Sequence, residues 1–533
     1  MQKTGKRLLS LLLCALLLWA AAAAAFAADD AVTPVIVVSG MGSFPLYSGE
    51  TGEQVWGPQT KDILKVVGDA LLPTLKAIVR RDADILADES FGEVYETLFE
   101  IVSCDETGEP LHPVEAVLFP ESIDHYPDQI LNAEETEDEL AILKTLAAEV
   151  GPQHVYFFNY DWRLSPLTHA DTLRDFIDNV KKEQHAEKVI LVPCSMGGTV
   201  VNSFLARYGS ADLEKIVYCL VASKGIDLVG ELFGQNIEID VSVLMERLFN
   251  FENGNLALEA LLGALKGGFE LNPLLTKALN QLLQTVLEKT SERAYRDILL
   301  RSFASMPGMW AFVPQDYYEA DKARMFPDGA NPIFLEKIDG YHDVQVQAES
   351  LMQRAIDGGT AIYITAAYGY VGFPVTSQAY AQGDCRIETH NESFGATCAP
   401  YGQTLPADYT PENPVCTDPA HEHISDDLIV DASTCAFPEQ TWIIKHMKHV
   451  GFPVGSDAAK LLTWLVTSGE ALTVQTDARY PQFTDLDPLT GKLTSLTGGE
   501  KRARLFDRES NLWIRFCKFF VDLWHKLQNL FQK

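Results

Sequence analysis

Ser195 stands between a short β-branched run, Lys188-Val189-Ile190-Leu191-Val192, and a pair of glycines, Gly197-Gly198. The run has almost no polar content, which suits a strand buried on both faces. Val200, Val201, Phe204, Leu205 and Tyr208 follow at helical spacing and stop at Gly209, so the serine is predicted at a sharp strand-to-helix turn. Such a turn holds the hydroxyl clear of the sheet and aims the helix N-terminal amides at whatever the oxygen attacks, the arrangement used for nucleophilic acyl transfer. Pro193 occupies the first glycine position of a Gly-x-Ser-x-Gly elbow. The plainer alternative is a Ser/Gly loop that caps a helix.

A nucleophilic serine needs an imidazole base and a carboxylate that orients it. His449, four residues past Trp442-Ile443-Ile444-Lys445 and just ahead of a helix, is the expected base, with His446 as the alternate. For the acid, Ser425-Asp426-Asp427-Leu428-Ile429-Val430 offers Asp427 first and Asp426 second, and Asp384 in Gly383-Asp384-Cys385 is a third option. A solvated acidic turn is the bland reading of the Asp426-Asp427 pair. Ser39-Gly40-Met41-Gly42-Ser43 leaves a buried strand over 34–38, and a glycine-rich exit of that kind lets backbone N–H groups face a developing oxyanion. His421-Glu422-His423 does not have a recognised zinc-site spacing. Neither a metal nor an organic cofactor is expected.

The elements that would position these groups alternate. Apolar runs at 34–38, 155–160, 188–192, 215–222 and 360–366 read as buried strands, and 442–444 as the final one. Helical patterns fall at 132–150, from Asp171 onward, and at 456–466. Alternation of this kind predicts a mainly parallel sheet covered on both faces. From Ser223 to about Ala355 the pattern is helical alone, with Asn272 and Pro273 as an N-terminal signal. A helical cap inserted after the strand that follows the nucleophile helix accounts for it; a helical subdomain packing on itself is the alternative.

The chain has 533 residues and a formal charge of −32, which excludes nucleic acid as a natural partner. Lys3, Lys6 and Arg7 precede an apolar run from Leu8 to Ala28 that contains Ala25-Phe26-Ala27. This reads as a secretory leader over 1–27 and an exported protein, with an uncleaved N-terminal anchor as the alternative. Cys385, Cys398, Cys416 and Cys435 cluster, and in an exported protein they are expected to form two disulfides. Residues 501–533 carry eight basic against three acidic side chains, with Trp513, Phe516, Phe519, Phe520 and Trp524 beside the basic stripe. An interfacial helix meeting a membrane surface fits that pattern, and docking onto the parent domain is its rival.

With the serine turn, Ser39-Gly40-Met41-Gly42 and Tyr160-Asp161-Trp162-Arg163-Leu164-Ser165-Pro166 taken together, the chain resembles the lecithin:cholesterol acyltransferase family, including its lysosomal phospholipase A2 branch. The resemblance implies an α/β-hydrolase fold and a Ser-His-Asp esterase, lipase-like hydrolase or acyltransferase acting on acyl esters of lipids. It further implies Ser195 as nucleophile, His449 as base, and the amides of Met41 and Met196 as oxyanion hole. Gly40, Trp162 and Trp310 then become substrate contacts. Ser302 to Trp310 looks like the family segment that returns from the cap towards the acyl pocket. The sequence departs from the family at Pro193-Cys194 and in the acid region, where the Gly-Asp-Gly or Gly-Asp-Asp form is not found around Asp427. The expected organisation is a core over 28–222 and 356–500, a helical cap over 223–355, and the basic helix over 501–533. A non-catalytic surface-binding protein on the same scaffold is the rival reading from another class.

Overall fold

The computed structural model describes residues 32–56, 99–133, 139–244 and 273–499. The leader at 1–27, Asn272 and the basic segment at 501–533 lie outside the described residues.

Eight strands form the central sheet: β1 (Val35–Val38), β2 (Val155–Phe158), β3 (Val189–Pro193), β4 (Leu213–Cys219), β5 (Ala361–Tyr368), β6 (Thr441–Lys445), β7 (Phe483–Leu486) and β8 (Leu493–Ser495). Their order is β8-β7-β6-β5-β4-β3-β1-β2, parallel throughout except for the antiparallel β7/β8 pair. The strands are continuously apolar because both faces are covered. Ile36, Val38, Tyr156, Phe158 and Leu191 enter one core, whereas Val35, Val37, Val155, Phe157, Ile190 and Val192 enter the other. Two strands extend the sheet beyond β6, which the sequence pattern marked as the last. The run Phe483-Thr484-Asp485-Leu486 hides its strand character behind two polar residues.

The helices in chain order are α1 (Glu139–Val150), α2 (Pro166–Gln184), α3 (Gly197–Tyr208), α4 (Asp227–Phe233), α5 (Pro273–Ala294), α6 (Pro307–Trp310), α7 (Gln315–Met325), α8 (Pro332–Val346), α9 (Ala348–Asp357), α10 (Thr389–Glu392) and α11 (Asp457–Thr467). Helix α2 begins five residues before Asp171, since Ser165 caps the amide of Leu167 and Pro166 fills the first helical position. One face of the sheet is covered by α2, α3, α8 and α9, and α1 packs with α11. The expected helical insertion between β4 and β5 runs from α4 to α9. Its last two helices also cover the sheet, because α9 buries Leu351, Met352 and Ala355 and both α8 and α9 pack on α3. The result is an α/β fold on a mainly parallel eight-stranded sheet, with a helical insertion after β4, the strand that follows α3.

Cys398, Cys416 and Cys435 are free thiols, so the two expected disulfides are not formed in this structure. Cys435 is buried in a small core with Cys398 packed against it, and the Cys416 Sγ lies 3.5 Å from His421 Nδ1.

Candidate active site

Ser195 sits at the turn between β3 and α3 with φ of 50°, a left-handed backbone that a non-glycine residue adopts only when its surroundings impose it. Two hydrogen bonds do so: its amide donates to Cys219 O at 3.3 Å, and its carbonyl accepts from the Ala222 amide at 3.0 Å. The helix comes close to the sheet here. A Cβ on Gly197 would collide with the carbonyl oxygen of Val38 at the end of β1, so only glycine lets α3 start where it does. Pro193 completes β3 without loss, since it lies at the strand's end and Cys194 takes over the pairing through its amide to Val38 O at 3.0 Å.

The loop after β1 lies against the serine. A Cβ on Gly40 would stand 2.8 Å from Ser195 Cβ and 2.7 Å from Glu139 Oε1. The Gly40 amide is already engaged, donating to that carboxylate oxygen at 2.9 Å. Met196, which follows Ser195 directly, stands at the N-terminus of α3, where backbone amides lack intrahelical partners. Ser195 itself is 8 % exposed.

His449 and Asp384 form the buried imidazole–carboxylate pair at this edge of the sheet. His449 Nδ1 is bonded to Asp384 Oδ2, and the His449 amide donates to Asp384 O at 3.0 Å. The other carboxylate oxygen, Oδ1, accepts the amides of Arg386 at 2.7 Å and Ile387 at 2.8 Å. Because a carboxylate only accepts, Nδ1 carries the proton, and Nε2 is left as the basic nitrogen. Burial alone would raise the Asp384 carboxyl. Attraction to the His449 ring, its hydrogen bond and the Ile387 amide outweigh burial and bring it down to about 2.

Behind Asp384 lies Glu392, in α10 and fully buried, whose Oε2 accepts the Ala367 amide at 2.7 Å. Its Oε1 has no protein hydrogen-bond partner if both carboxyls are ionised, yet carboxyl oxygens of Glu392 and Asp384 and a nitrogen of His449 lie within 4.8 Å of one another. Burial, and then the charge of Asp384, push the Glu392 carboxyl well above its ordinary value. A protonated Glu392 can donate to Asp384, turning a contact between two acceptors into a hydrogen bond.

Asp427 is not the partner of His449. It forms a fully buried ion pair with Lys445 at 3.2 Å and accepts from Tyr368 Oη at 3.0 Å and Ser425 Oγ at 2.7 Å. The apolar run it precedes leads into Val430–Asp431, which pairs with Thr397–Cys398 in a two-residue ladder outside the central sheet, so Asp427 is not at the end of a central strand. Asp426 caps the Gly499 amide at 3.1 Å. His446, the alternate base, has its Nδ1 on Asp485 Oδ1 at 2.7 Å. The signal for Asp384 was Gly383 before it, the Gly-Asp start of the form sought around Asp427.

Tyr160-Asp161-Trp162-Arg163 follows β2 as a rigid support. Arg163 is fully buried, pairs with Asp161 Oδ2 at 2.6 Å, and donates to the carbonyls of Val102 and Val114. His169 Nε2 meets Asp161 O at 2.7 Å, and burial brings this imidazole down to about 4, so it is neutral and structural. Trp162 is 1 % exposed and packs on Trp56 with ring centroids 5.4 Å apart. Trp310, expected as a substrate contact, is a core side chain: it packs on Phe233, Tyr318 and Phe326 and donates to Ala304 O at 3.0 Å. Gly308, two residues before it, donates to Arg163 O at 2.8 Å and joins the insertion to this support.

No curated protein sequence matches the chain. Among solved structures, a chain of the Tle4–Tli4 complex is similar at 12% identity and a TM-score of 0.26, over 63% of this chain and 75% of that one. A likeness of that size leaves the fold to be argued from the sheet order above. Residues 148–223, which carry β2, the Tyr160 to Arg163 support, α2, the serine turn and β4, match the family model for lecithin:cholesterol acyltransferase.

Proposed function

We propose that this chain is an exported serine hydrolase or acyltransferase that acts on acyl esters of lipids. Ser195 Oγ attacks the ester carbonyl carbon as its proton passes to His449 Nε2. The carbon–oxygen bond to the alcohol then breaks, and the departing alkoxide takes that proton. Water, or a second alcohol, repeats the sequence on the acyl-serine and releases an acid or a new ester. Asp384 keeps the imidazole in the tautomer that leaves Nε2 basic, and the Met41 and Met196 amides receive the oxyanion.

The observation that carries this reading is the buried His449–Asp384 pair, set after β6 and β5 at the same carboxyl edge of the sheet as the strained serine turn. The loop after β4 ties the two together: the Ala222 amide holds the Ser195 carbonyl, and the Asp227 amide donates to Glu388 Oε2 at 3.0 Å, four residues from Asp384. The match over 148–223 supports the lipid acyl class.

The deciding experiment pairs fluorophosphonate labelling with turnover of a panel of acyl esters, wild type beside Ser195→Ala. Labelling and turnover that both vanish in the variant are expected, and persistence of either defeats the proposal. Product analysis with an added alcohol separates transfer from hydrolysis.

A further inference from the structure

Between Cys398 and Val430 the chain forms no helix or strand, and a loop of that length inside a compact domain needs something to hold it. Within it, Cys416, His421 and His423 each bring one ligand-type atom to within 4.8 Å of the others. His421 Nδ1 lies 3.5 Å from Cys416 Sγ and 3.0 Å from Glu439 Oε1, so thiol, imidazole and carboxylate converge.

His423 supplies the independent observation. It is 5 % exposed, and its Nδ1 meets Gln482 Oε1 at 2.7 Å. The orientation of that amide is fixed, because Gln482 Nε2 donates to the carbonyls of Pro438 at 2.6 Å and Thr441 at 3.2 Å. The Gln482 oxygen must then accept, so His423 Nδ1 carries the proton and Nε2 presents a bare lone pair. Nε2 is buried and has no hydrogen-bond partner among the described residues. An imidazole whose far nitrogen is held by an amide oxygen, with its near nitrogen unprotonated and dry, is the arrangement a metal-ligating histidine requires.

We propose that Cys416 Sγ, His421 Nδ1, His423 Nε2 and Glu439 Oε1 bind a structural zinc ion. A thiolate, two imidazoles and a carboxylate suit this borderline-soft cation and its four-coordinate geometry. Bonds of about 2.0–2.3 Å in a tetrahedron space ligands roughly 3.3–3.8 Å apart; Cys416 Sγ and His421 Nδ1, 3.5 Å apart, already stand at that spacing, His423 lies within 4.8 Å of both, and Glu439 Oε1, 3.0 Å from His421 Nδ1, would move slightly outward. Glu439 precedes β6 and Gln482 precedes β7, so the site lies at the amino edge of the sheet, away from the carboxyl edge that carries Ser195. The ion would fasten the loop to the sheet and take no part in acyl chemistry.

The test is metal analysis of the purified full chain, followed by cobalt substitution. About one zinc per chain is expected, with a thiolate-to-cobalt charge-transfer band in the Co2+ form that Ser195→Ala retains and Cys416→Ser and His423→Gln lose. Chelation should lower the Tm of the wild type by several degrees, and added Zn2+ should restore it. Zinc-free protein whose Tm ignores added Zn2+, a band that persists in Cys416→Ser, or peptide mapping that finds Cys416 in a disulfide would each overturn the site. Should the variants fail to fold, the wild-type cobalt spectrum decides alone: no thiolate band, no site.

Discussion

Three residues apart after the same strand, His446 and His449 each place Nδ1 on an aspartate, and only their surroundings distinguish them. The His446 pair joins neighbouring strands: Asp485 belongs to β7, the pair is partly exposed on the carboxylate side, and the imidazole packs beside Tyr370. The His449 pair reaches back to the loop after β5. Its aspartate is fully buried, two backbone amides occupy the second oxygen, and the buried Glu392, its carboxyl pushed up by burial and by the charge of Asp384, stands behind it. A histidine–carboxylate bond is thus not itself the mark of a base. What marks it is an acid with no freedom left, so that the imidazole can point only one way.

The comparison breaks most directly at the imidazoles. His449→Ala, like Ser195→Ala, should reduce kcat by about 10^3-fold or more, whereas His446→Ala should stay within about tenfold of wild type. Equal losses at the two histidines in steady-state ester hydrolysis would dissolve the distinction. Next come the acids. Asp384→Asn, which leaves the ring without its tautomer-fixing acceptor, should lower kcat by roughly 10^3–10^4-fold with KM little changed. Asp485→Asn, at a partly exposed pair, should cost less than about tenfold, as judged by the same kcat measurement.

A further substitution separates chemistry from support. Asp427→Ala removes the buried carboxylate that pairs with Lys445, so it should destabilise the fold by about 3–5 kcal/mol, read by chemical denaturation. The folded fraction should retain its kcat. A loss of kcat as deep as that of Asp384→Asn, at full folding, would return Asp427 to the acid's place.

The strands from β1 to β6, the serine turn and the place of His449 just past β6 were legible because each depends on local pattern: apolar runs, a Ser-Gly bend, a histidine past a strand. The carboxylate that meets His449 was not. Asp384 and Asp427 both precede β6 in sequence, and what separates them is that Lys445, Tyr368 and Ser425 surround one while His449 and two amides surround the other. These are contacts between residues up to 65 positions apart, which no periodicity reports. The same holds for the thiols: Cys416 was grouped with other cysteines by proximity in sequence, but in space its neighbour is His421. Strand β7 escaped because Asp485, bonded to His446, interrupts the apolar pattern, and β8 because Leu493-Thr494-Ser495 is short and mostly polar.

The smallest expected effect sharpens the comparison at Glu392. Glu392→Gln keeps both bonds, with the amide oxygen accepting from Ala367 and the amide nitrogen donating to Asp384, so kcat should change less than about threefold. The pH dependence of stability should change instead. Asp384 is depressed from 3.8 to about 2, so its contribution is present above pH 3.8 and is lost as pH falls through about 2, in both proteins. Glu392 is raised above 4.5, which has the opposite sign: its contribution is full below pH 4.5 and is lost as pH rises towards the folded value. Glutamine carries no such proton. Wild type and Glu392→Gln should therefore melt alike near pH 4, and the variant should gain up to about 1.4 kcal/mol per pH unit above it until the folded value is passed. An ionised Glu392 would give the reverse pattern, since the acid limb of kcat would then move down in Glu392→Gln as an anion near the His449 imidazolium is removed, while the melting curves stayed parallel. Thermal melts and pH–rate profiles of the two proteins between pH 4 and 8 distinguish these outcomes.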